Sequence, residues 1–234
     1  MYKSATLEEF LAPISAKLGR TQVPETIEKL DIDALIPPHV TDDLNHAELL
    51  DRFCEEAVKV RVNMHRCTKD EVASVVAQIV AEGEGDQVIC ADDRRMETLG
   101  ITGALKDVAS KVIRWNGAQD REISIAEADQ SNFGITFPIQ AIAETGSIVQ
   151  PCSTHCGRGV SLLPKTHIAI IDAATMVSSM RDSLKNIIAA GGNHGEHLPS
   201  QIVFIDGPSA TSDIELVRVE GVHGPMFVHY VMFE

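Results

Sequence analysis

Cys152-Ser153-Thr154-His155-Cys156 brings two thiols and an imidazole into five consecutive residues, near enough along the chain for one zinc or iron ion to use all three. The spacing is neither a Cys-x-x-Cys knuckle nor a Cys-x-x-Cys-His haem attachment. A fourth ligand would have to come from elsewhere, with His194 and His197 as candidates. The same five residues also suit a redox-active thiol pair, or a loop with no chemistry. Two positions on, Arg158 lies between Gly157 and Gly159, a flexible setting for a guanidinium, which binds carboxylates in bidentate fashion. Its plainer role is a surface ion pair with one of the 34 acids.

Two polar segments flank that stretch. Upstream, Glu144-Thr145-Gly146-Ser147 forms a turn between the apolar runs Ala141-Ile142-Ala143 and Ile148-Val149, with Gly146 and Ser147 as ligand contacts. Downstream, the run 201–205 enters Asp206-Gly207-Pro208-Ser209-Ala210-Thr211-Ser212-Asp213-Ile214-Glu215. Ser212 and Glu215 have capping-box spacing, so a helix starting there would aim its free N–H groups at the loop. Gly207, Ser209, Thr211 and Asp213 would then cradle a carboxylate or phosphate; the alternative is a capped turn with no ligand. His223, in the turn Gly221-Val222-His223-Gly224-Pro225, can gain or lose a proton near neutrality and is a pocket candidate, whereas His167 heads an apolar run and reads as a core histidine.

The elements that position these residues follow from periodicity. Leu7, Phe10, Leu11, Ile14 and Leu18 mark an amphipathic helix, and the proline-bearing segment 21–40 reads as a linker, giving an N-terminal helical arm over 1–40. A helix capped by Asp42 or Asp43 runs to about Val60 with Cys54 on its apolar stripe, Val60-Arg61-Val62 reads as a short strand, and a further helix covers 72–81. Strand-length runs at 87–91, 111–115, 134–137, 167–171, 201–205 and 227–233 alternate with helical patterns at 96–109 and 176–190. The segment 123–128 is ambiguous. This alternation predicts an α/β domain over 41–234: a Rossmann-like, mostly parallel sheet with helices on both faces, whose ligands sit on loops at strand ends.

Three separated blocks, AIAETGS, GRGVSLLPKTHIAII and FIDGPSATSDIELVRVEGVHGP, occur in the order found in the lactate-utilization protein C family, and the chain resembles these LUD-domain proteins from about Leu49 to its C-terminus. The resemblance implies a fold like that of the sugar-phosphate isomerase and CoA-transferase superfamily, and a part in oxidising L-lactate to pyruvate. It implies an accessory subunit whose partners are iron-sulfur oxidoreductase subunits carrying the clusters, with a small carboxylate or phosphate as ligand. It also implies two rivals: a stand-alone isomerase or acyl-CoA-transferase-like enzyme with Glu144 as base or covalent nucleophile, and a non-catalytic scaffold. The Cys152–Cys156 segment departs from the family pattern.

Composition narrows the partners. Thirty-four acids against 20 bases give a formal charge of −14, which repels nucleic-acid phosphates and anionic lipid surfaces. A pocket needs only a few local donors to hold an anion. Five cysteines without a signal-like N-terminus point to a cytoplasmic protein without structural disulfides, and no apolar run is long enough to insert in a membrane. There is no four-cysteine iron-sulfur run and no Gly-x-Gly-x-x-Gly after an early strand, so no cofactor is expected in this chain beyond a metal at Cys152, His155 and Cys156.

Overall fold

The computed structural model describes residues 6–22, 26, 31, 35, 37–191, 198–213 and 216–234. The chain divides into two compact units, Met1–Pro38 and His39–Glu234. The first holds helix α1 (Leu7–Lys17), closed by a capping box in which the Thr6 hydroxyl accepts from the Glu9 N–H and the Glu9 carboxylate accepts from the Thr6 N–H. Much of the linker segment lies outside the described residues.

The second unit is built on a six-stranded, wholly parallel sheet of β1 (Asn63–Cys67), β2 (Gln87–Cys90), β3 (Lys111–Arg114), β4 (Phe133–Thr136), β7 (Thr166–Asp172) and β12 (Phe227–Phe233), in the order β1-β12-β7-β4-β2-β3. Alternation along the central strands sorts side chains to its two faces. Ile168 and Ile170 of β7, with Val231 and Phe233 of β12, join Val72, Val76 and Val80 of helix α3 (Val72–Glu82) on one side. Ala169, Ile171, Tyr230 and Met232 meet Leu50, Phe53 and Ala57 of helix α2 (His46–Lys59) on the other. That second face is also covered by a four-stranded mixed sheet of β5 (Gln140–Ile142), β6 (Ser147–Cys152), β8 (Met176–Val177) and β9 (Gln201–Ile205), in the order β8-β5-β6-β9. The α/β expectation is met, with the second face shared between helix and sheet.

Several boundaries move, each for a local reason. Helix α2 is capped by Asn45, not Asp42 or Asp43: its side chain accepts from the Glu48 N–H at 3.1 Å while Glu48 accepts from the Asn45 N–H at 2.8 Å. Val60-Arg61-Val62 is no strand, because Arg61 turns the chain at φ 68° and β1 begins at Asn63. The helical run 96–109 breaks at Gly100, where φ is 71°, into α4 (Arg95–Thr98) and α5 (Ile101–Ala104). Met176 and Val177 pair with β5, so helix α8 (Met180–Ala190) starts later, on a Ser179 cap. The ambiguous segment 123–128 lies in helix α6 (Arg121–Gln130), and α7 is one turn, Gly159–Leu162. Replacing Asn45 by alanine should cost about 1 kcal/mol in urea unfolding, and an unchanged midpoint would show that the reciprocal cap contributes nothing.

Candidate functional site

The chain passes from β2 outward to β3, then returns to lay β4 on the opposite flank of β2. The carboxyl ends of β2 and β4 therefore diverge at a topological switch point, where open α/β sheets form their ligand crevice. A crevice of about 700 Å³ lies beside the β3 end of this region, walled by Trp115, Asn116, Gln119, Arg121, Cys152 and Arg158. Among the described residues neither guanidinium has a carboxylate at ion-pair distance, whereas Arg114 nearby is paired with Asp92 and Glu97. Two unpaired arginines on one concave wall, in a chain of formal charge −14, make a local positive field for an anion. The Trp115 indole N–H is buried without a hydrogen-bond partner, and its ring lies so close to Gly157 that a Cβ there would approach it to 2.0 Å. Burial pushes the Cys152 thiol up, and the charge of Arg158 works against that rise.

The cysteine loop closes over this end of the sheet as a clasp. The His155 carbonyl accepts from the Asp92 N–H at 2.8 Å, and His155 Nδ1 stands 3.1 Å from Asp92 Oδ2. Cys156 turns inward, where the Gln150 amide donates to its sulfur at 3.7 Å and burial pushes the thiol up to about 12. Cys152, His155 and Cys156 therefore serve three different surroundings. Among the described residues no group of three or more His, Cys, Asp or Glu is placed to hold a metal ion; His194 and His197 lie outside those residues. A thiol held protonated as firmly as Cys156 is also a poor nucleophile for disulfide exchange.

A second, smaller cavity of about 200 Å³ lies between β7, β12 and β9, bounded by Ser161, His167, Asp206, Ser209 and His223, with Gly207 in its wall. Three of the sequence-selected residues, Gly207, Ser209 and His223, thus do come together, but Arg158 is not with them; only Leu162 of α7 lines both spaces. Among the described residues no helix begins at Ser212: Ala210-Thr211 (β10) pairs antiparallel with Val219-Glu220 (β11), Ser212 and Asp213 are not helical, and Glu215 is outside the described residues. Asp213 donates its N–H to the Thr211 hydroxyl, and neither residue lines either of these two cavities. Asp206 is pushed up by burial, partly offset by a hydrogen bond from Ser147.

His167 is fully buried as expected, yet not fully satisfied. Its Nε2 is 2.8 Å from the Thr136 hydroxyl, Nδ1 has no partner, and burial brings its pKa down to about 4. Gly146, at φ 70°, is pressed on the backbone of Ala57, and the Ser147 hydroxyl lies 2.7 Å from that of Thr145; neither residue lines either of the two cavities. Glu144 places Oε1 2.7 Å from His39 Nδ1 and lines neither cavity. Sequence reasoning missed Trp115 and Arg121. Their signal was position alone, since both follow a strand whose carboxyl end adjoins the switch point.

The LUD domain family profile matches residues 50–233. Lactate utilization protein C 1 of Bacillus mycoides (strain KBAB4) is 32% identical over 227 residues, covering 97% of this chain and 96% of that protein. Lactate utilization protein C of Geobacillus thermodenitrificans (strain NG80-2) is 32% identical, covering 96% and 95%. In fold, a crystal structure of a DUF162 family protein from Deinococcus radiodurans matches with a TM-score of 0.58 at 22% identity, over 82% of this chain and 100% of that one.

Proposed function

Because the chain belongs to the LUD domain family, we propose that it is an accessory subunit of an iron-sulfur L-lactate oxidation system, and that the crevice beside Trp115 holds the small carboxylate. The relatives' name, lactate utilization protein C, supports the process. The observation that carries the site is the pair of guanidiniums, Arg121 and Arg158, without a carboxylate partner among the described residues, on the wall of the crevice beside the β3 end. Guanidinium-to-carboxylate hydrogen bonds are charge-assisted, and each is worth ~1.5–3 kcal/mol where water is partly excluded. The crevice is far larger than a three-carbon acid, which leaves room for a segment of a partner subunit to close over the ligand.

Electron transfer in this reading belongs to the partners. Oxidising lactate to pyruvate removes two electrons, and this chain carries neither a four-cysteine run nor a dinucleotide fingerprint to receive them. The isolated protein is expected to show no lactate-dependent dye reduction, and activity only when cysteine-rich partner subunits are supplied; robust turnover by the lone chain overturns the subunit reading. Trp115 is the chain's single tryptophan, so its fluorescence reports the crevice directly. L-Lactate or pyruvate should perturb that emission, and Arg158→Ala should weaken the effect by about tenfold or more. Arg158→Lys should recover only part of it, since an ammonium cannot grip a carboxylate bidentately. An emission indifferent to both acids would remove the site. A transferase-like role for Glu144 lacks comparable support, because its carboxylate is engaged by His39 away from both cavities.

A further inference from the structure

We propose that the cavity at His167 is a second ligand site, separate from the carboxylate crevice, that takes a small uncharged molecule bearing a hydroxyl or amide group. The first ground is the imidazole itself. His167 is wholly buried and pinned by the Thr136 hydroxyl at 2.8 Å through Nε2, while Nδ1 has no partner among the described residues. A buried polar atom left unpaired is costly, and native folds supply a partner for nearly all of them. Here there is space for such a partner, because His167 is part of the wall of a cavity of about 200 Å³. At ~30 Å³ per water this is room for roughly six waters, or for one compact organic molecule.

The lining sets the ligand's class. Among the described residues no lysine or arginine borders the cavity, and its one carboxylic acid is Asp206. An anion would meet that carboxylate with no lysine or arginine beside it, so lactate and phosphate are disfavoured where the Arg121/Arg158 crevice would welcome them. Leu162, Val203, Pro225 and Val228 provide apolar walls for a short carbon skeleton, and the hydroxyl-bearing Ser161 and Ser209 lie among them. The Thr136 hydroxyl can either donate to or accept from Nε2, which leaves Nδ1 as donor in one tautomer and acceptor in the other. Hydroxyl and amide groups both donate and accept, and therefore match either state. His223, exposed at the edge of this space, and the Gly224-Pro225 turn mark its outer end.

Lactamide, acetamide and propylene glycol serve as uncharged probes, with L-lactate as the charged control. The full chain, isotope-labelled at histidine, is titrated by heteronuclear NMR, with the His167 ring signals assigned through His167→Gln. Lactamide is expected to move the His167 signals and leave Trp115 fluorescence unchanged; L-lactate should not move them. Ser209→Leu, which fills the cavity from its rim, should abolish lactamide binding, and His167→Gln should weaken it by about tenfold. His167 signals that stay still through all three uncharged probes would mean that the cavity holds only water, and the proposal falls. It falls equally if L-lactate moves them, or if Ser209→Leu binds lactamide with undiminished affinity. None of these outcomes depends on what occupies the arginine crevice, so the two readings stand or fall separately.

Discussion

Acidification from pH 7 to about pH 4 is expected to remove ~3 kcal/mol of folding stability through His167 alone, with ~2 kcal/mol of that gone by pH 5. In the folded chain burial holds this imidazole at about 4, against an ordinary value of 6.5. Between those values the unfolded state binds a proton that the folded state refuses. Stability is therefore fully present above the unfolded value, is lost as pH falls through the window, and levels off below the folded value. His229 acts in the same direction: burial, with the neighbouring His65 adding to it, brings it down to about 4, and its Nδ1 lies 3.1 Å from His65 Nε2, so charging both rings would set two cations in contact. Asp206, pushed up by burial, works in the opposite direction. The paired carboxylates Glu56 and Asp93, held below their usual range, contribute losses only at lower pH, which leaves the interval from 7 to 5 to the histidines. Urea unfolding across that interval, in wild type and His167→Gln, measures the slope. If the slope is the same in both, His167 is not the buried base described here.

How far the sequence reveals this molecule depends on how local the deciding interaction is. Strands such as β7 and β12 are legible because both faces of a central parallel strand are buried, which writes a continuous apolar run. The Thr6 capping box is decided as locally, since donor and acceptor lie three residues apart. Val60–Val62 misleads because valines favour strands, while the positive φ at Arg61 that redirects the chain leaves no trace in composition. The Ser212-x-x-Glu215 spacing falls in the connection between the paired strands β10 and β11, a context that only the long-range pairing of 210–211 with 219–220 reveals.

The sites show the same division. Arg158, Gly207, Ser209 and His223 stand out by residue type within loops, and all four border cavities. What sequence could not show is that they border two different ones, since α7 and its Leu162 stand between, nor that Arg121, far away in sequence, shares a wall with Arg158. The Cys152–Cys156 cluster is close in sequence but divided in space, because Cys152 borders the crevice, His155 meets Asp92 and Cys156 enters the core. Proximity along a chain is a weak guide to convergence once the backbone turns between the ligands.

Gly134→Ala is expected to destabilise the protein by about 3 kcal/mol or more and to loosen the crevice with it. Gly134 sits in β4, paired with Ile89 on one side and His167 on the other, and its bare Cα faces α7. An added Cβ would lie 1.9 Å from the Val160 carbonyl oxygen and 3.0 Å from Pro164 Cγ. The first of these is backbone and cannot rotate away, so α7 must retreat by on the order of 1.5 Å to restore ordinary contact. That retreat has a functional reading, because α7 follows directly on Arg158 and carries Leu162 between the two cavities. Trp115 emission should therefore respond more weakly to L-lactate in this variant even at temperatures where it remains folded. Gly103 supplies the control: it lies in α5 with nothing within 4 Å of its would-be Cβ, and alanine there should stabilise by up to ~1 kcal/mol. The same substitution thus carries opposite signs at two glycines, decided by what faces each Cα. Denaturant midpoints that leave Gly134→Ala level with wild type would mean that β4 and α7 are not in the contact described, and with it the placement of Arg158 would be lost.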